Sequence, residues 1–108
     1  MSKTVGIIGL GIMGSAISRN LVERGWRVIG FDIDAARTAE LAQAGVIIAG
    51  DVAEVVREAP IVMTSLPSFA AATSVMDDIV AAAEPGCIIA ELSTFSLDQK
   101  LALRDKAT

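Results

Sequence analysis

Histidine is absent from this 108-residue chain, and cysteine occurs only once, as Cys87. Without histidine, imidazole acid–base catalysis and most zinc sites are excluded within this sequence, so no metal-binding residue is predicted. A single cysteine excludes an internal disulfide and fits a reducing, cytoplasmic setting. Because Cys87 begins a predicted strand, we expect a small buried apolar residue there rather than a nucleophile.

Positive charge is also scarce. Nine Lys and Arg residues stand against thirteen Asp and Glu residues, which gives a net charge of −4 and an isoelectric point near 4.6. This balance argues against nucleic acid and anionic membrane surfaces as partners. No apolar run approaches the roughly 20 residues of a membrane-spanning helix. The first predicted strand begins so early that we expect no signal peptide, and therefore a cytoplasmic protein.

The most informative stretch is a glycine-rich segment between an apolar run at residues 4–8 and a helical pattern. Gly9, Gly11 and Gly14 follow the spacing G-x-G-x-x-G. In such a motif the first glycine allows a tight turn, the second lets the backbone approach a pyrophosphate, and the third lets the helix pack against the sheet. The free N–H groups and positive dipole end of the helix would then face the phosphates.

An acidic residue completes this β-α-β unit. Asp32 ends a second apolar run at residues 28–31, 18 residues after Gly14. A carboxylate at that place can accept hydrogen bonds from an adenosine ribose. Because strand, helix, strand and acid all occur in order, a dinucleotide site is favoured over a glycine-rich turn without a ligand.

The remaining sequence continues to alternate apolar runs with helical patterns. Gly25 and Gly45 end the first two helices, Asp51 with Glu54 forms a capping box, and Ser96 with Gln99 forms another. Further strands are predicted at 46–49, 61–64 and 87–92. Helices are predicted at 34–44, after Asp51, after the break at Pro67-Ser68 to about 83, and from Ser96 onward. Right-handed crossovers then predict an α/β, Rossmann-type doubly wound parallel sheet of order 3-2-1-4-5, in one domain spanning 1–108.

In such folds ligands bind at the carboxyl ends of the strands, where the strand order reverses. Ser65, Leu66, Pro67 and Ser68 follow the fourth predicted strand, and Ser93 and Thr94 follow the fifth. Position alone leaves two interpretations of each group. The first could be only a rigid turn and the second only a polar loop, or both could contact a ligand.

Taken together, these motifs resemble the β-hydroxyacid dehydrogenases, the family of 3-hydroxyisobutyrate, tartronate semialdehyde and 6-phosphogluconate dehydrogenases. The resemblance extends from Val5 to about Gln99 and departs from the family pattern at Ala71, Glu91 and Leu97, where Asn, Asp and Pro are frequent. The segments that carry it are GLGIMG at 9–14, Asn20-Leu21, Gly25, Asp32, Ser65-Leu66-Pro67 and Glu91-Leu92-Ser93-Thr94.

The resemblance implies a site for a nicotinamide cofactor and a small β-hydroxy acid. Ser93 would contact the substrate and Thr94 the nicotinamide side of the cofactor. NAD is expected rather than NADP, because Asp32 would repel a 2′-phosphate and Arg37 is interpreted as a solvated helix residue. The other residues predicted to bind the cofactor are Gly9, Leu10, Gly11, Ile12, Met13, Gly14, Phe31, Asp32, Ile33, Leu66 and Pro67.

The family also has features that this sequence lacks. A helical C-terminal domain and a catalytic lysine lie beyond the matched segments, and Lys100 and Lys106 are in the wrong segment to be that lysine. We therefore expect a cofactor-binding fragment of a homo-oligomeric enzyme, with no catalytic residue of its own. Two alternatives stay open: a free-standing, non-catalytic nucleotide-binding or sensing module, and a relative such as an imine reductase.

Overall fold

A computed structural model of the chain describes residues 3–92 and 97–107. Strands and helices alternate along these residues, as the sequence predicts. The elements are β1 Thr4–Ile8, α1 Ile12–Glu23, β2 Arg27–Phe31, α2 Ala35–Gln43, β3 Ile47–Ile48, α3 Val52–Glu58, β4 Ile61–Thr64, α4 Phe69–Ala82, β5 Ile88–Glu91 and α5 Leu97–Ala107.

The strands form one sheet in the order β3-β2-β1-β4-β5. Every neighbouring pair is parallel, with Val5 opposite Val28 in the β1–β2 pair and Thr64 opposite Glu91 in the β4–β5 pair. The central strand β1 is buried along its whole length, as expected when helices cover both faces of a parallel sheet. The predicted fold class and strand order are confirmed.

Two strands are shorter than predicted, and local hydrogen bonds explain why. β3 covers two residues instead of 46–49, because the Val46 N–H donates to Leu41 O and closes the end of α2. β5 begins after Cys87, whose N–H donates to Glu84 O in the preceding turn. The predicted helix ends are confirmed, since Gly25 and Gly45 have φ angles of 87° and 101° that favour glycine after a helix.

Side-chain caps begin three of the helices. Asp34, Asp51 and Ser68 accept hydrogen bonds from Ala36 N, Glu54 N and Ala71 N. The Glu54 carboxylate accepts a 2.8 Å hydrogen bond from Gly50 N, and not from the N–H of Asp51 as in a standard capping box. The other predicted capping box depends on Ser96, which lies outside the described residues. Across the described chain, no helix is long and apolar enough to cross a membrane.

The sheet separates two apolar layers. Val5, Leu10 and Leu41 belong to the layer that includes side chains of α1 and α2. Ile8, Val55 and Ile79 belong to the opposite layer, with α3 and α4. Gly6 allows α3 to lie close to β1, because a Cβ there would come within 2.5 Å of Val55 Cγ1. Helix α5 packs on α4 through buried Leu103, and the carboxyl ends of β1, β2 and β4 are left facing one cleft.

Candidate functional site

A cleft of about 560 Å³ opens at the carboxyl ends of β1, β2 and β4, where the strand order reverses. This is the place at which open α/β sheets bind their ligands. Eight of the residues predicted from sequence line it: Gly9, Gly11, Ile12, Phe31, Asp32, Ile33, Leu66 and Pro67. Ser65, a candidate after the fourth strand, also lines it, whereas Ser68 does not. The remaining lining residues are Ile8, Asp34, Arg37, Ala71 and Val75.

The glycine loop is packed so tightly that side chains are excluded at two of its three glycines. Gly9 has a φ angle of 95°, and a Cβ there would meet Ser65 O at 2.0 Å. A Cβ on Gly14 would meet Gly9 O at 1.9 Å. Gly11 differs, because its φ of −70° suits any residue and its Cβ would meet only the flexible Arg37 side chain. Gly11 is thus the one glycine of the motif that tolerates a side chain by backbone conformation, and it lines the cleft.

Helix α1 begins beside this cleft without a side-chain cap. Gly11 is its N-cap residue, and its first turn contains no acidic residue. Its first N–H groups therefore meet no side-chain acceptor of their own helix and are available to an anion, which the helix dipole also favours. Ile12, at the first position of the helix, is 92% exposed at the cleft.

Asp32 lies at the end of β2 and is partly buried. Its Oδ2 accepts a hydrogen bond from Leu10 N at 2.7 Å, and its Oδ1 accepts one from Asp34 N at 2.8 Å. A carboxylate has about four acceptor positions, so Asp32 retains acceptor capacity for ligand hydroxyls at the cleft. The carboxylate joins the loop after β1 to the loop after β2.

Three predicted cofactor residues are not part of the cleft lining. The Leu10 side chain is completely buried in the core, so Leu10 can meet a ligand only through its backbone. Gly14 is buried in the first turn of α1, and Met13 is exposed in the same turn. Whether these residues contact a cofactor stays a prediction.

Arg37 is exposed on α2, as the sequence suggested, but its guanidinium also contacts the glycine loop. Its Nη1 lies 3.4 Å from Leu10 O and its Nε lies 3.5 Å from Asp34 Oδ2, although 47% of the side chain is exposed. The guanidinium thus extends from α2 across the mouth of the glycine loop. The sequence carried a signal only for the ion pair, since Arg37 is three residues after the capping residue Asp34.

Two further lining residues lie on α4: Ala71, one of the positions where the sequence departs from the family pattern, and Val75, which sequence reasoning missed. Ala71 and Val75 are four residues apart, so they share one face of the helix and both line the cleft. With Leu66 and Pro67 they form an apolar wall opposite Asp32 and Asp34. Helical spacing from the capping residue Ser68 could have identified this wall.

The predicted substrate side of the site is described only in part. Ser93 and Thr94 lie outside the described residues. Just before them, Thr64 Oγ1 donates a 2.6 Å hydrogen bond to Glu91 Oε2 and ties the ends of β4 and β5 together. Among residues 3–92 and 97–107, no group of three or more metal-ligating side chains occurs.

Cys87 lies at the opposite end of β5 from the cleft. It is partly buried rather than fully buried, and it packs against the core. Burial raises the pKa of its thiol, so the thiolate needed for nucleophilic chemistry is disfavoured. This environment fits the predicted packing role.

The sequence matches the family described as the NAD binding domain of 6-phosphogluconate dehydrogenase, over residues 4–108. A Dictyostelium discoideum protein named as a probable mitochondrial 3-hydroxyisobutyrate dehydrogenase is 38% identical over 96 residues. That match covers 86% of this chain but 30% of the relative. The chain therefore spans about a third of the length of the relatives it matches.

Solved structures also resemble this chain. The Mycobacterium tuberculosis 3-hydroxyisobutyrate dehydrogenase, determined with L-serine, superposes with a TM-score of 0.94 at 34% identity and covers 99% of this chain and 37% of that one. A Streptomyces aurantiacus imine reductase superposes with a TM-score of 0.87 at 27% identity, over 96% of this chain and 37% of its own.

Proposed function

The chain belongs to the β-hydroxyacid dehydrogenase family, whose NAD-binding domain it matches, and we propose that it holds the cofactor of an enzyme that interconverts a small β-hydroxy acid and its carbonyl form. One observation carries this proposal. The glycine loop, the uncapped start of α1 and the Asp32 carboxylate all meet in one cleft.

The residues of the cleft fit a dinucleotide. The N–H groups at the start of α1 would bind the pyrophosphate, and Gly11 leaves room for it. Asp32 would accept hydrogen bonds from the adenosine ribose through its remaining acceptor positions. Leu66, Pro67 and Val75 offer an apolar wall that excludes water along the cofactor. The nicotinamide ring of the bound cofactor supplies the hydride donor or acceptor.

The substrate class is proposed from relatives and from chemistry. The relatives are named 3-hydroxyisobutyrate dehydrogenases, and L-serine, present in one related structure, is itself a β-hydroxy acid. Ser93 is proposed to contact the substrate and Thr94 the nicotinamide side. A proton donor or acceptor at the substrate oxygen is also required. The family resemblance assigns that role to a lysine that is not among these 108 residues.

Titration with NADH tests the cofactor role directly. We expect saturable binding to the purified 108-residue protein, followed by fluorescence of the reduced nicotinamide. Gly11→Ala should weaken binding by about tenfold or more. Gly50→Ala, in the loop between β3 and α3 with no heavy atom within 4 Å of the added carbon, should leave binding intact. Absence of any NADH binding to the unmodified protein would refute the proposal.

Two alternative functions predict different results. A non-catalytic sensing module is not favoured, because the matched relatives are named dehydrogenases. An imine reductase is supported by the superposition at 27% identity. Assaying the product of the complete reading frame separates the dehydrogenase from both alternatives. Oxidation of 3-hydroxyisobutyrate with NAD supports the proposal, and turnover confined to cyclic imines would favour the reductase.

A further inference from the structure

Leu10 lies in the glycine loop, between Gly9 and Gly11. Its side chain is 0% exposed and packs in the core layer with Val28 and Leu41. A backbone N–H and C=O in such a position need hydrogen-bond partners, because water is excluded there. The groups that satisfy the Leu10 peptide therefore decide how firmly the loop is held.

Both sides of this residue are satisfied by side chains from other parts of the site. The N–H donates to Asp32 Oδ2 at 2.7 Å. The C=O accepts from Ser15 Oγ at 2.7 Å, and more distantly from Arg37. The second oxygen of Asp32 accepts from Asp34 N, so the carboxylate is itself fixed in orientation.

We propose that Asp32 is a positioning residue for the phosphate-binding loop, acting through the Leu10 amide before any ligand arrives, with Ser15 holding the Leu10 carbonyl. This inference rests on the proposed dinucleotide function and adds a second role to the expected ribose contact. A loop held in its binding geometry loses less conformational freedom when the ligand binds. Asp32 and Ser15 therefore raise affinity for the phosphates, which neither side chain needs to touch.

The first test uses the ligand-free protein. Amide hydrogen exchange at Leu10 should be at least about tenfold faster in Asp32→Ala, which removes the acceptor of a buried N–H. Asp32→Asn retains one acceptor oxygen and should show a smaller increase, and it keeps the test valid if the alanine variant does not fold. Glu54→Ala is the matched control, since it removes a carboxylate–amide bond of 2.8 Å on α3 and should leave Leu10 unchanged. Unchanged Leu10 exchange in both Asp32 variants would overturn the proposal.

The second test separates positioning from ribose recognition. NADH is compared with an analogue that lacks the 2′- and 3′-hydroxyls of the adenosine ribose. If Asp32 holds the loop, Asp32→Asn weakens binding of the analogue as well as of NADH. If Asp32 acts only on the ribose, the analogue binds the variant as well as it binds the wild type, and the proposal fails. Titrations at high salt limit the effect of removing a negative charge near the phosphates.

Ser15→Ala gives an independent arm, because it changes no charge and removes no expected ligand contact. It should weaken NADH and the analogue by the same factor, roughly fivefold for one neutral hydrogen bond, and Ser15→Thr should restore most of the affinity. Equal wild-type affinity in Ser15→Ala would overturn the role of Ser15. If neither ligand binds the wild-type protein, the proposed function fails, while the exchange measurements still decide whether Asp32 holds the loop.

Discussion

The backbone of Gly14 lies directly against the carbonyl group of Gly9. A β-carbon on Gly14 would stand 1.9 Å from the Gly9 oxygen, closer than any real contact allows. The start of α1 is therefore packed onto the turn that leaves β1, and the third glycine of the motif is required by packing. At Gly11, between them, a β-carbon would meet only the flexible end of the Arg37 side chain. The three glycines of one motif thus have separable roles, and substitutions can distinguish them.

Gly11→Ala should preserve the fold and abolish tight NADH binding. The backbone at Gly11 suits alanine, and the new methyl group would meet only the end of the Arg37 side chain, 2.9 Å away. The methyl group would occupy the space where backbone and pyrophosphate must touch. We expect a normal circular dichroism spectrum and NADH affinity lowered by about tenfold or more, or ~1.4 kcal/mol. Unchanged affinity would mean that the loop does not hold a dinucleotide.

Gly14→Ala should instead destabilise the protein. The overlap with Gly9 O forces the backbone to move, and overpacking of this kind costs about 1–3 kcal/mol of the free energy of unfolding. Urea denaturation monitored by circular dichroism measures that loss. Gly50→Ala is the control for both glycine substitutions and should match the wild type. A Gly14→Ala variant as stable as the wild type would contradict the packing role.

The parent enzyme should bind NADH at least about tenfold more tightly than NADPH. Asp32 and Asp34 both line the cleft where the adenosine ribose is expected, and a 2′-phosphate there would meet like charge. Arg37 lines the same cleft, and its positive charge would attract a 2′-phosphate and so reduce the preference for NADH. Arg37→Ala should therefore weaken NADPH more than NADH. Comparison of dissociation constants for both cofactors checks this, and tighter NADPH binding to the wild type is the contrary result.

The isolated 108-residue protein should not turn over any small hydroxy acid. Hydride transfer requires an acid or base at the substrate oxygen, and the lysine implied by the family resemblance is not in this sequence. Glu91 is the acidic residue nearest in sequence to the Ser93-Thr94 pair, but it accepts a hydrogen bond from the Thr64 hydroxyl. Absorbance at the reduced nicotinamide band, with NAD and 3-hydroxyisobutyrate, measures turnover. Any sustained rate would contradict the assigned roles.

The isolated protein should also self-associate through the β5 side of the sheet. Ile88 is 58% exposed and lies opposite Ile61, and Ala90 lies opposite Met63. This apolar strip lies on the face shared with α1 and α2, whereas α5 packs on α4 through Leu103. The edge strand contains neither Lys nor Pro to oppose pairing. In light scattering, the average molecular mass should rise as the protein concentration is raised.

Matched substitutions locate the associating surface. Ile88→Lys should shift the protein toward the monomer, because it places a charge on the strip and on the strand edge. Val80→Lys, at an exposed apolar position of α4, should leave association unchanged. A wild-type protein that stays monomeric at high concentration would contradict this prediction.

Local sequence signals determined most of the fold. The strand–glycine–helix–strand order from residue 4 to Asp32, the helix ends at Gly25 and Gly45, and the caps at Asp51 and Ser68 each depend on a few neighbouring residues. Crossover handedness then leaves few sheet orders to choose from. The cleft at the reversal point follows from that order, so Gly11, Asp32, Leu66 and Pro67 could be placed there from sequence.

Only the tertiary structure determined which hydrogen-bond partners the side chains of the cleft have. No local pattern shows that Asp32 accepts the Leu10 amide across 22 positions of sequence, or that Arg37 extends over the glycine loop. The length of β3, by contrast, was decided locally, since Val46 donates its N–H to Leu41 O at the end of α2 instead of to β2. Backbone conformation follows from nearby residues, whereas side-chain partners depend on how separate crossovers meet in space. The periodicity of a sequence carries no information about which of these loops become neighbours in the folded chain.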